Sequence, residues 1–286
     1  MGLSIKESQR FVDRGRVYQN DVVITEKNQR LSGAIEVVVY VAKSQGLCPV
    51  FEEENFALFD KPSGLLVHPT SRKTHYSLYD EILHHFGEEA KIVHRLDRET
   101  SGLILVAKNK PWEVTLKQLF EKRRIDKTYV ALVRGHFQTP MRVDAPLLNN
   151  QDYSDIKLRM VVHESGKPSQ TDFEPLRYFA DIDATLVKAT PHTGRQHQIR
   201  AHLFHVKHPI LGDPLYGVPT WVSEQYLDET LTLAERLEWM GASRLLLHAN
   251  TLAFSVEETA YAYQSPLDIE TLFYAFGKEK YANNCM

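Results

Sequence analysis

His94-Arg95-Leu96-Asp97-Arg98-Glu99-Thr100-Ser101-Gly102 sets one carboxylate, Asp97, between two arginines. The polar turn sequence Thr100-Ser101-Gly102 leads into an apolar run, Leu103-Ile104-Leu105-Val106. A positive charge close to a carboxylate favours its ionised form, and an ionised, oriented carboxylate serves as nucleophile or base. Alone, the segment also reads as a surface Asp–Arg pair in a turn before a strand, because structural ion pairs perturb carboxylates too.

The flanking residues supply the elements around that turn. Phe56-Ala57-Leu58-Phe59 is strand-like and stops at Lys61-Pro62. Asn109 as a cap with Pro111 in the first turn predicts a helix start. Trp112, Leu116, Leu119 and Phe120 then recur at helical spacing, which predicts a core-facing stripe. Over 129–133 the alternation places Tyr129, Ala131 and Val133 opposite Val130 and Leu132. Strands are predicted at 171–178 and 184–190. Thr193-x-x-Gln196 has the form of a capping box and predicts a helix over 196–206. Its buried stripe would be Ile199, Leu203 and Val206, with His197, Arg200 and Phe204 on a neighbouring face. Residues 222–240 read as an acidic helical insertion before the strand Leu245-Leu246-Leu247. Helices and strands mix without βαβ regularity, so the predicted class is α+β with a mixed, largely antiparallel sheet.

The first 45 residues read as a separate small α+β unit. A short helical pattern, Glu7 to Val12, is followed by Arg14-Gly15, and Asn20-Asp21 is a turn signal between alternating residues, predicting a hairpin. Val37 to Val41 is a β-branched run that predicts a strand. Residues 46–55, with Gly46, Pro49 and Glu52-Glu53-Glu54, read as a linker. The main domain is expected over 56–275 and a tail over 276–286.

At 286 residues and 43% hydrophobic content the chain has enough apolar material for a sizeable core. No uninterrupted apolar run approaches bilayer-spanning length, and Met1 to Glu7 lacks the apolar stretch of a secretion signal. Two cysteines form neither a disulfide framework nor a CxxC metal knuckle. A cytoplasmic monomer away from membranes is expected. The net charge of −3 runs against the basic bias of most RNA binders. The charge is uneven, however: residues 108–134 hold eight lysines and arginines against Glu113, Glu121 and Asp126. Such a local basic face binds phosphates whatever the total charge, although an ordinary solvated helix face has the same composition. His192, His197, His202, His205 and His208 crowd one stretch, but no nearby Cys, Asp or Glu completes a familiar metal spacing. No metal is expected.

His-Arg-Leu-Asp-x-x-Thr-Ser-Gly resembles the catalytic signature of the RluA-type pseudouridine synthases. Asp60-Lys61-Pro62-Ser63-Gly64-Leu65 resembles that family's first motif, and Lys127-Thr128-Tyr129 its Lys-x-Tyr motif. The segments 166–171, 193–200, 209–213 and Leu247-His248-Ala249 follow in the family's order, so the resemblance spans roughly residues 52–270. Residues 8–20 more weakly resemble a ribosomal S4-like RNA-binding domain, with few of its early basic positions. The resemblance implies an RNA uridine isomerase acting on large-subunit ribosomal RNA or transfer RNA, without cofactor or metal. The alternatives are an RNA-binding ribosome-assembly factor that has lost catalysis and a nucleic-acid glycosylase.

By the same resemblance Asp97 is the essential carboxylate. Anomeric attack, addition to the base and a glycal route all remain open for it. Arg200 is implied to pair with Asp97 through a charge-assisted fork. Tyr129 is implied to stack on uracil and stand near carbon 5 as proton acceptor. The target base must leave its stack to be reached. Arg95 is implied to fill the vacated space, an ion pair with Glu99 being the competing account. Lys61, Arg98, Lys108, Arg195 and Lys207 are candidate phosphate contacts by charge and placement, and the loop 65–80, with His68, Arg72, Lys73 and His75, is a candidate RNA clamp.

Overall fold

The computed structural model describes residues 4–38, 42–70, 74–149 and 156–282. It divides into two compact units, residues 1–43 and 44–286.

The first unit opens with helix α1 (Ile5–Asp13), then strands β1 (Val17–Gln19), β2 (Val22–Val23) and β3 (Glu36–Val37) in the order β2-β1-β3. The hairpin expected at Asn20-Asp21 is present, and Gln19 faces Val22 across it. Both turn residues have positive φ, 51° and 63°. Two-residue hairpin turns of the twist-matching kind demand that conformation, and Asn and Asp adopt it more readily than most residues. The strand expected over Val37–Val41 falls partly outside the described residues.

The second unit contains β4 (Phe51–Glu52), β5 (Phe56–Lys61), α2 (Leu78–Phe86), β6 (Lys91–Ile92), β7 (Ser101–Ala107), α3 (Lys110–Glu121), β8 (Asp126–Arg134) and β9 (Met141–Asp144). There follow β10 (Leu147–Asn149), β11 (Met160–Val162), β12 (Gln170–Phe179), β13 (Ala184–Pro191), α4 (Gln198–His205), α5 (Thr220–Leu227) and α6 (Leu233–Met240). The last elements are β14 (Leu247–Val256), β15 (Thr259–Gln264) and α7 (Ile269–Ala282). Among the described residues, ten strands form the main sheet, in the order β4-β5-β7-β14-β8-β13-β12-β9, with β6 on β7 and β15 on β14. β7 and β14 run parallel, while their other neighbours pair antiparallel, giving the expected mixed α+β sheet.

The apolar run after the Asp97 segment is continuous because both faces of β7 are covered. Leu103, Leu105 and Ala107 pack with Leu116 of α3, whereas Ile104 and Val106 pack with Leu78 and Ile82 of α2. α3 starts where its sequence predicts: the Asn109 side chain accepts from Trp112 N at 3.1 Å, with Pro111 in the first turn. β8 lies at the centre of the sheet, and Val130 through Val133 are buried in the largest core cluster with residues of β13, α4 and α7.

Two boundaries differ from expectation. Residues 46–55 are not a free linker, since Phe51 and Glu52 pair with β5 and Val50 and Phe51 pack on the core. The expected tail begins inside a helix: α7 runs through residue 276 to Ala282, because Ile269, Phe273 and Phe276 recur at helical spacing and turn toward the core. A Cβ on Gly277 would stand 2.9 Å from Ile182 Cδ1, which shows how closely that helix packs.

Candidate active site

Asp97 sits in a tight turn leading into β7, closed by Thr100 N donating to Asp97 O at 3.2 Å. Two glycines shape its surroundings. Gly102 has φ 113°, and a Cβ there would fall 2.4 Å from Ala249 N, so only glycine allows β14 this close to β7. Gly212 has φ 76°, and a Cβ there would meet Arg244 O at 1.6 Å. That glycine brings Asp213 against α4.

Arg200 of α4 is 3% exposed. Its Nε donates to Asp213 Oδ2 at 2.7 Å and its Nη2 to Asp213 Oδ1 at 2.8 Å. Nη1 reaches Asp97 Oδ2 at 3.4 Å. The fork expected on Asp97 is therefore formed with Asp213, and Asp97 receives the remaining edge of the guanidinium. Asp213 is fixed in turn by Leu215 N at 2.8 Å and Tyr216 N at 3.0 Å. Burial opposes the Arg200 charge, but Asp213 and Asp97 outweigh it and hold the guanidinium pKa above its ordinary value. A permanent cation thus stands beside Asp97.

His197 is a second neighbour, with Nε2 3.7 Å from Asp97 Oδ2. Burial, reinforced by Arg200, pulls its pKa down to about 4, so the imidazole is neutral at neutral pH. His197 also caps α4 in the left-handed conformation, φ 52°. The capping box expected from Thr193 and Gln196 does not form, and the helix starts two residues later. Buried Gln198 does the joining instead: its Oε1 accepts from Thr193 Oγ1 at 2.6 Å and Arg195 N at 3.0 Å, while Nε2 donates to Gln170 O at 2.9 Å. Ile199 and Leu203 are buried as expected.

Asp97, Tyr129 and Arg200 line one cleft of about 880 Å³ together with Lys127, His197 and Phe120. That volume suits a small-molecule-sized group with its contacts. Burial, and then Asp97, push the Tyr129 hydroxyl pKa above its ordinary value, so Tyr129 is a neutral phenol at the cleft wall. His94 Nε2 accepts from Leu105 N at 2.8 Å and its ring stacks on Phe120 at 4.6 Å. Burial takes the His94 pKa down to about 3.

The candidate phosphate contacts separate. Arg95 is exposed and lines the cleft, as does Arg195, whose Nε donates to Pro168 O at 3.2 Å. Arg95 forms no ion pair with Glu99, because that buried carboxylate accepts from Tyr226 Oη at 2.8 Å and Arg236 Nη2 at 2.7 Å. Lys61 cannot contact phosphate. It is 0% exposed, and its Nζ donates to Pro62 O, Leu65 O and Arg98 O at 2.9, 2.9 and 3.0 Å. Lys108 is held by Glu52 Oε1 and Glu53 O, both at 2.6 Å, and lies outside the cleft lining. Arg98 pairs with Glu229 at 3.3 Å. Lys207 is exposed at the far end of α4 and lies outside the cleft lining. In the proposed clamp loop Arg72 and Lys73 lie outside the described residues.

The crowded histidines take separate duties. His202 is buried between Thr171 Oγ1 at 2.9 Å and Ala145 O at 3.0 Å, His192 meets Asp172 at 2.8 Å, and His208 meets Arg134 O at 2.8 Å. Among the described residues no group of three or more His, Cys, Asp or Glu is arranged to hold a metal ion. No described helix is long and apolar enough to cross a membrane. Asp213 and His197 were both within recognised motifs, but nothing in a single sequence signals that they meet Arg200 and Asp97.

The family described as RNA pseudouridylate synthase matches residues 55–205. An uncharacterized RNA pseudouridine synthase of Helicobacter pylori (strain ATCC 700392 / 26695) is 38% identical over 265 residues, 92% of this chain and 86% of that protein. Ribosomal large subunit pseudouridine synthase C of Pasteurella multocida is 38% identical over 230 residues, 77% of this chain and 64% of that protein. The solved structure of human RNA pseudouridylate synthase domain containing 1 superposes with a TM-score of 0.61 at 23% identity, covering 84% of this chain and 96% of that one, a likeness of fold. On the family match and the extent of the Helicobacter relationship, this chain belongs to the RNA pseudouridylate synthase family.

Proposed function

We propose that this enzyme isomerises a uridine of large-subunit ribosomal RNA to pseudouridine in the cytoplasm, as a monomer, with Asp97 as the essential carboxylate. The observation that carries the reading is the convergence of Asp97, Arg200 and Tyr129, from three distant stretches of chain, on one cleft. Isomerisation breaks the bond from N1 to the ribose, turns the base, and joins carbon 5 to the same sugar carbon. The cation at Arg200 keeps Asp97 aimed, and charge-assisted contact is the stronger kind. Tyr129 presents its ring to the base. Because its hydroxyl is held neutral, it accepts the carbon-5 proton only while handing its own onward. Arg95, exposed at the rim, is placed to fill the gap left by the extracted base, and Arg195 to meet a phosphate.

Ribosomal RNA is favoured over transfer RNA because several similar proteins carry ribosomal large-subunit names. The N-terminal helix and hairpin, with Lys6, Arg10 and Arg14 exposed, are proposed as an S4-like RNA contact. The test is a map of pseudouridine across total RNA from cells with and without the protein. The reading expects loss of one or a few sites in large-subunit RNA. Loss confined to transfer RNA would reassign the substrate, and an unchanged map would contradict the activity.

A further inference from the structure

Among the described residues no protein anion forms an ion pair with Lys127, a cation of the cleft. It lies two residues before Tyr129 on β8, and both side chains line the cleft. Side chains of that spacing share a strand face, about 6.5 Å apart along it. The Lys127 ammonium stands 5.9 Å from the centre of the Phe120 ring. A Cβ built on Gly194 would lie 3.6 Å from Nζ, so the Thr193-Gly194-Arg195 loop covers it. Among the described residues no carboxylate comes within ion-pair distance of Nζ. Burial lowers the ammonium pKa, with no opposing contribution from a nearby acid. This contrasts with Lys61, whose three donors are satisfied by carbonyls, and with Lys108, which has Glu52. An unpaired cation in a half-closed wall is costly unless another molecule brings the negative charge.

Given that the cleft isomerises uridine, we propose that Lys127 is a catalytic residue whose ammonium binds the anionic carbonyl edge of the detached uracil. When the N1–C1′ bond breaks heterolytically, the electron pair stays with the pyrimidine and spreads over N1 and its carbonyl oxygens. When carbon 5 then bonds to C1′, the ring supplies the electron pair, the carbon-5 proton leaves and N1 takes up a proton, so the product has the composition of the substrate. The negative charge exists only between those two events. A cation already in place and shielded from water stabilises it without reorganisation. Asp97, Arg200, Tyr129 and Lys127 all line the one cleft that is to take the base. The exposed arginines of the cleft, Arg95 and Arg123, and the half-buried Arg195 are better placed for phosphates than this covered group.

The test uses total RNA labelled with 5-tritiated uridine in cells lacking the protein. Tritium release is followed in single turnover at saturating enzyme, and affinity is measured on the same RNA at several salt concentrations. Lys127→Met is expected to slow release by about 100-fold, the usual cost of one lost donor at a developing anion, while affinity stays within about threefold. Lys127→Arg should recover part of the rate. Lys127→Met should melt no lower than wild type, since it removes a lone buried charge. Weakened affinity with a salt slope smaller by about one and an intact saturated rate would identify a phosphate contact and overturn the proposal. An unchanged Lys127→Met variant would overturn it alone. No release by the wild-type enzyme would overturn the isomerase reading, and this one with it.

Discussion

Asp97, Tyr129 and Arg200 were legible as residue types inside ordered motifs, but their partners were not. Arg200 reads in sequence as the partner of Asp97, whereas its two strongest bonds go to Asp213. That pairing depends on Gly212 approaching Arg244 O, a contact no local pattern announces. Replacing Arg200 with alanine leaves Asp213 buried and unpaired, so stability should fall by roughly 3–5 kcal/mol. Chemical denaturation measures this, and a loss below about 1 kcal/mol, the range of a surface pair, would contradict the buried fork. Lys61 differs the other way: charge and placement suggest a phosphate contact, but the side chain is fully buried. Burial takes its pKa from 10.5 down to about 7, with Glu99 and Asp97 opposing. The unfolded chain keeps the proton to higher pH, so the stability contributed by this site rises between those values and is flat below them. Lys61→Met should remove that rise, leaving a Tm gap to wild type that widens in favour of wild type from about pH 7 to about pH 10. A gap independent of pH over that range would mean that Lys61 stays charged in the fold.

At the scale of elements, helix α3, the hairpin at Asn20-Asp21 and the two-faced strand β7 could be read because capping, turn chemistry and apolar periodicity are local signals. The start of α4 could not, because Gln198 holds it by reaching β12. The insertion of α5 and α6 was legible as helix, yet its duty was hidden. Tyr226 and Arg236 both bind the buried Glu99 carboxylate, two residues from Asp97. From the other side Ser63 Oγ donates to Glu99 O at 2.6 Å and Gly64 N to Arg98 O at 2.9 Å. The turn carrying Asp97 is thereby gripped by the end of β5 and by the insertion. Arg236→Met should leave the buried Glu99 without its ion-pair partner and cost about 3 kcal/mol. Adding Glu99→Gln should recover part of that loss, and simple additivity in the double-mutant cycle would show that the pair is not coupled.

For the whole molecule, the class and the order of motifs were legible because the catalytic unit repeats local signals along most of its length. The boundaries near 46–55 and 276 differ from expectation because polar composition conceals a short edge strand and a helix, to Ala282, with a core-facing side. The two compact units predict separable duties. A chain of residues 44–286 should keep its own melting transition within about 3 °C of the full chain, as surface changes of about 0.5 kcal/mol would allow, yet bind RNA more weakly. Equal affinity would show that the first unit is not an RNA contact. The most direct test of the central claim is mass spectrometry of RNA from cells lacking the protein, after incubation with the purified enzyme or with Asp97→Asn. The account predicts pseudouridine formed without change of mass and without free uracil by the wild type, and no conversion by a variant that binds RNA within a few fold of wild type. Free uracil, or near-normal turnover by Asp97→Asn, would contradict it.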